Sequence, residues 1–262
     1  NEPQGAIPHI DTTPLPSPSP SDLQLRHPTL TTTETHSSPS LLTSSEQIDQ
    51  WNAALNGQTL DEKELKNIIL GSEKNQRPEI ALKAAQQLLQ QNPNALHWTT
   101  LGYVYGLLNQ TDREIDCYLK ALQKEPKNRN TLFNLGLAYL QQRRFAKAQE
   151  AFQKITQNLP EDHEAWFHLG LTLEKQDRWD ESSRAYQKAV TIKPSYGEAW
   201  LNLGGVYATI KRPDLEIETY KKCLESNPNY QPAWNNLAIV LKSIGKFSEY
   251  EATKKMIEES IR

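Results

Sequence analysis

Histidine and cysteine are the side chains here best suited to catalysis or metal binding, and their spacing limits what they can do. His9, His27 and His36 fall in the first 46 residues, and His97, His163 and His168 lie further on. His163 and His168 are five apart, whereas two metal ligands on one helix face need an i, i+4 spacing. No Glu or Cys completes a ligand set around them. Cys117 and Cys223 are too few for a disulfide framework or a four-ligand zinc site. No glycine-rich phosphate loop, nucleophile elbow or paired-carboxylate constellation is present. The expectation is therefore no cofactor, no metal and no active site, that is, a protein that is not an enzyme. Asn109-Gln110-Thr111 matches a glycosylation sequon, a triplet that also arises by chance.

Bulk composition narrows the class further. Hydrophobic residues make up 37% and the mean hydropathy is −0.72, so no stretch approaches a membrane span. With 32 acidic against 29 basic residues the net charge is −3, which argues against nucleic acid as a partner. The chain opens on Asn1 rather than Met, which leans toward an exported or membrane-attached protein, with a cytoplasmic one as the alternative. Any membrane contact is expected only through a removed anchor or a partner complex. Residues 1–46 hold eight of the sixteen prolines and no aromatic residue. Such a segment buries too little apolar surface to offset its ordering entropy. It reads as an extended Pro/Ser/Thr-rich tether, or as a docking arm anchored by Leu15, Leu23, Leu25, Leu30, Leu41 and Leu42.

The rest of the chain must supply the elements that position anything functional, and it is periodic. Pro126, Pro160, Pro194 and Pro228 are 34 residues apart, as are Gly102, Gly136, Gly170 and Gly204, with Ala238 next in line. Leu101, Leu135, Leu169, Leu203 and Leu237 run in phase with them, and so do Trp98, Leu132, Trp166, Trp200 and Trp234. Each period reads as two helices. Trp166, Leu169, Gly170 and Leu173 share one face of the first, and Ala148, Phe152 and Ile155 share one face of a second, which proline ends. Glycine inside a helix costs about 1 kcal/mol against alanine and needs a packing reason, here a closely pressed second helix. No pair can cover its own apolar face, so the pairs must stack.

These columns resemble the tetratricopeptide repeat, Trp-x-x-Leu-Gly-x-x-Tyr followed by Ala, an aromatic, Ala and Pro. The match is close over 95–230, four repeats. It is partial over 231–262, where Tyr250 and Lys254 depart from it in what reads as a capping unit. Residues 47–94 read as a short helix around Trp51 and Leu55 plus a degenerate first repeat carrying Leu65, Ile68, Ala81, Ala85, Leu88 and Pro93. The fold class is all-α. The resemblance implies a right-handed α-solenoid of about five to six helix pairs, whose first helices line a concave groove.

On that face the resemblance places Thr100, Asn134, His168, Asn202 and Asn236, the residues just before the repeated leucine. Asparagine can pair with a peptide backbone through its donor and acceptor. The column can equally serve only to bond neighbouring repeats, and both readings stand. Tyr103, Phe133, Leu137, Phe167, Leu171, Leu201 and Ile239 lie beside it, with Gly205 and Ala208 leaving an open spot. An apolar stripe of this kind suits an amphipathic helix or an extended apolar peptide. The Lys/Arg/Asn clamp by which some members grip acidic chaperone tails is replaced here by Thr99, Tyr103, Leu137, Glu164 and His168, which argues against such a partner. The expected function is a non-catalytic scaffold or assembly factor holding a protein partner. The alternatives are the substrate-recognition region of a larger enzyme, such as a glycosyltransferase, and a structural subunit of an assembly.

Overall fold

A computed structural model describes residues 44–260, and the arm or tether expected over 1–46 lies almost wholly outside them. The described residues form helices and no strand. After α1 (Ser44–Gly57) come six helix pairs. They are α2 (Glu62–Lys74) with α3 (Pro78–Gln91), α4 (Ala95–Leu107) with α5 (Thr111–Lys124), and α6 (Arg129–Gln141) with α7 (Phe145–Asn158). Then follow α8 (His163–Glu174) with α9 (Trp179–Ile192), α10 (Gly197–Thr209) with α11 (Pro213–Ser226), and α12 (Gln231–Ser243) with α13 (Phe247–Ser260). From α2 onward each helix packs chiefly on its neighbours in sequence, which makes the array a solenoid. Among the described residues no helix is long and apolar enough to cross a membrane.

The glycine column has the packing reason expected of it. A Cβ on Gly102 would lie 2.6 Å from the ring of Tyr118, one on Gly136 2.6 Å from Phe152, and one on Gly170 2.8 Å from Tyr186. Gly204 meets Tyr220 in the same way. In every case the ring comes from the second helix, 16 residues on. The pair α2–α3 reverses the volumes, with Ile68 at the glycine position and Ala84 at the ring position, both buried. Gly71 of that pair instead receives the ring of Trp51, which seats α1 on α2.

The tryptophan and proline columns are joined by hydrogen bonds. The indole nitrogens of Trp166, Trp200 and Trp234 donate to the carbonyls of Pro160, Pro194 and Pro228 at 2.8, 2.8 and 2.7 Å. Each ties the start of a first helix to the loop before it. Leu132 has no donor to offer Pro126; the cap of Asn128 on the Thr131 N–H is shared with the next repeat, where Asp162 caps Ala165.

The turn inside each repeat carries a feature that no glycine column announced. Asn109, Arg143, Asp177 and Lys211 each adopt φ 57°, and Gly245 follows at 76°. Left-handed backbone disfavours a side chain with a Cβ, and asparagine tolerates it better than lysine or arginine. Arg143→Gly and Lys211→Gly should therefore each stabilise the array by about 0.5–1 kcal/mol, and Asn109→Gly by less. Gly245→Ala should lose a similar amount. Denaturant unfolding of the four variants checks the ranking.

Candidate functional site

The face that the asparagine column marks runs down the first helices, where positions three, four and seven residues apart align. The structure divides it into a closed and an open part. Thr100, Tyr103, Phe133, Asn134, Leu137, Phe167 and His168 are buried; Leu171, Leu201, Asn202 and Asn236 are partly buried; Ile239 is 64% exposed. The exposed and partly buried positions of this face thus lie from Leu171 onward.

Packing between repeats accounts for much of the closed part. Phe133 meets Phe152 and His168 edge-on at 5.6 and 4.9 Å, and His168 stacks on Phe152 at 5.4 Å. Phe167 lies against His168, Tyr186 and Tyr196 at 5.2, 5.7 and 5.0 Å. The Tyr103 hydroxyl donates to the Glu73 carboxylate one repeat earlier, and the Thr100 hydroxyl donates to the Leu96 carbonyl at 2.9 Å. At the N-terminal edge of the face, Arg129 lies over Phe133 at 4.4 Å. It donates to Asp162 at 2.7 Å and to Glu164 at 2.6 Å. Burial opposes it, but the hydrogen bonds from Arg129 and the Ala165 N–H hold the Asp162 carboxyl below its ordinary value.

The column of Asn and His follows a rule that becomes visible once the rings are placed. Each member sits 16 residues after a ring that itself sits 16 residues after a glycine. Asn202 donates to the Tyr186 hydroxyl at 3.4 Å, and Asn236 bonds the Tyr220 hydroxyl. Where the ring is Phe152, which has no hydroxyl, the column holds His168 and the contact is a stack. The bonding-between-repeats reading of this column therefore has direct contacts behind it in three successive repeats.

Carboxylates track the same hydroxyls. Tyr118 donates to the buried Glu114 at 3.3 Å, and Tyr186 donates to Glu174 at 2.9 Å. Glu216 lies close enough to raise the Tyr220 hydroxyl through its charge, behind burial as the larger cause. The repeat with Phe152 has Leu140 and Ala148 at the two carboxylate positions. Burial pushes Glu174 up, its Tyr186 hydrogen bond only partly offsetting this, and burial alone pushes Glu216 up to about 7. The two cysteines are buried and free, and burial raises Cys117 to about 12 and Cys223 to about 11. Both stay neutral thiols at pH 7 and pack as small apolar groups. Among the described residues no cluster of three or more His, Cys, Asp or Glu side chains is placed to hold a metal ion.

Because the folded-state value of Glu216 exceeds that of the unfolded chain, its contribution to stability is present below about pH 4.5 and is lost as pH rises through about 7. Glu216→Gln should leave stability near pH 4 almost unchanged and raise it at pH 8 by about 1–3 kcal/mol. Paired unfolding curves at the two pH values check this.

Tetratricopeptide repeat family models match residues 98–128, 133–197, 197–230 and 219–251. No curated protein matches the sequence. Among solved structures, one crystal structure of MamA is 26% identical with a TM-score of 0.55, over 61% of this chain and 94% of that one. A second, of MamA protein, is 25% identical with a TM-score of 0.57, over 63% and 91%. MamA 41-end from Desulfovibrio magneticus RS-1, at 19% identity, a TM-score of 0.59 and coverage of 64% and 96%, agrees in fold alone. Repeat columns, helix pairing and these matches coincide, and the chain belongs to the tetratricopeptide repeat family.

Proposed function

We infer that this chain is a non-catalytic protein-interaction scaffold, and that it holds a partner segment on the open part of its first-helix face. The observation that carries this reading is the change along one register column. Tyr103 and Leu137 are buried at 2% and 7%, Leu171 is partly buried, and Ile239 of the last repeat stands 64% exposed. An isoleucine that exposed gains little from folding and has more to gain on binding. Asn235 and Asn236 stand four and three residues before it on the same helix, and Leu201 and Asn202 hold the same register one repeat earlier, a mixture of apolar surface and amide groups that a peptide backbone with apolar side chains requires. The amides of Asn202 and Asn236 are shared with tyrosine hydroxyls, so of the two roles open to this column the contact role falls to spare donors and acceptors, not to the whole side chain.

One observation favours a second reading, that of a structural subunit bound through its end. Phe247 and Ile244 are 62% and 41% exposed, while Trp179 and Ile210 at the matching positions of inner repeats are partly covered.

Affinity purification of the full chain from its own cells, followed by mass spectrometry, separates the two. Ile239→Asp and Leu201→Gln should lose the partner while the helical circular dichroism signal persists, and Phe247→Asp should keep it. Retention of the partner by the first two variants and its loss from the third would move the site to the end of the array.

A further inference from the structure

Gly205 is the one glycine in the middle of a first helix whose missing Cβ serves no contact within the described residues. Gly102, Gly136, Gly170 and Gly204 each receive a ring, but nothing lies within 4 Å of a Cβ built on Gly205. It occupies the middle of α10, where glycine weakens a helix relative to alanine with no internal return. Its register neighbours on the flanking first helices are Leu171 and Ile239, 34 residues before and after. The result is a gap in a row of apolar side chains on the open face.

Charge brackets this row on two sides. Seven residues before Gly205 on the same helix face stands the exposed Glu198. Four residues after Leu171 stands the exposed Lys175, and three after Ile239 the exposed Lys242, which lies 5.8 Å from the Tyr250 ring. Glu198 thus marks one border of the row, its equivalent Glu164 one repeat earlier being paired with Arg129, and Lys175 and Lys242 mark the other.

We propose that the gap over Gly205 seats a bulky apolar side chain of an amphipathic helix from a partner protein, with basic residues along its Glu198 flank and acidic residues along its Lys175 and Lys242 flank. This rests on the open face being the binding site and goes further by naming the occupant. A helix fits better than an extended strand because a helix presents a single apolar stripe with separate flanks on either side. The glycine gives up helix stability to make room for that side chain, the exchange of stability for function expected at a binding site.

The test uses the full chain and three synthetic helical peptides of about 20 residues, long enough to be helical, sharing one Leu/Phe stripe. One has lysine on one flank and glutamate on the other, one has lysine on both, and one has glutamate on both. Fluorescence anisotropy should show the mixed peptide binding tightest. Gly205→Phe should weaken it at least about tenfold, as blocking a central contact does, while the unfolding midpoint holds or rises. Gly205→Ala should raise the midpoint and weaken binding only a few-fold. Unchanged binding to Gly205→Phe, equal binding of all three peptides, or binding of none would overturn the proposal. If binding survives Gly205→Phe but is lost in Ile239→Asp, the open face remains the site and only the helix over Gly205 falls. If it survives both, the open-face reading falls as well.

Discussion

The contact between a first-helix glycine and a second-helix ring sets the geometry of the array. With ring atoms 2.6–2.8 Å from where a Cβ would stand at Gly102, Gly136 and Gly170, the two helices of a repeat can approach only because that atom is missing. The opposite side of the same ring then becomes the surface on which the next repeat lands. Asn202 and Asn236 meet it through hydroxyls, and His168 meets it by stacking. One ring thus fixes the spacing within a pair and the register between pairs. The ends of the array show what happens when it is absent. Ile68 and Ala84 exchange volumes in the first repeat, while in the last Ala238 stands where the ring position holds Lys254, exposed to solvent.

This arrangement determines how much of the first-helix face is left for a partner. Positions that would line a groove in an empty solenoid are drawn inward by aromatic contacts from Phe133 to Tyr196. The later repeats carry smaller or more polar groups at those positions, Leu201, Asn202, Gly205 and Asn235, and the face opens there. The closed part also stores polar chemistry. A tyrosine ring brings its hydroxyl into the core, and Glu114 and Glu174 accept from it; Phe152 brings none, and its repeat carries no such carboxylate. Choice of ring, carboxylate and column residue is therefore a single decision made once per repeat, because a buried polar group without a partner is costly.

Much of the architecture was legible in the sequence. The 34-residue period and the helix pairs follow from columns of Gly, Leu, Trp and Pro, since these residues act through size, donor loss or backbone reach that any neighbour would feel. The left-handed turns at Arg143, Asp177 and Lys211 were not legible, because loop length imposed that conformation on residues that do not advertise it. Nor was the burial of Phe133 and His168: helical spacing places them on a face, but only the Phe152 ring, which comes 19 residues after Phe133 and 16 before His168, shows that the face is occupied. The Trp and Pro columns were visible separately; the indole-to-carbonyl bond that joins them needed coordinates.

A double-mutant cycle on Gly136 and Phe152 tests the central contact most directly. The nearest atoms to a Cβ on Gly136 are Cζ, Cε1 and Cε2 of Phe152, at 2.6, 2.8 and 2.9 Å, and leucine has none of them. In the wild-type background Gly136→Ala should destabilise the array by about 1–3 kcal/mol through overpacking. In the Phe152→Leu background the same change should be neutral or stabilising by up to about 1 kcal/mol, because alanine is the better helix former. The reversal of sign, read as a coupling energy from four unfolding curves, is the predicted result. Equal costs for Gly136→Ala in both backgrounds would contradict the account, since the glycine would then serve something other than the ring.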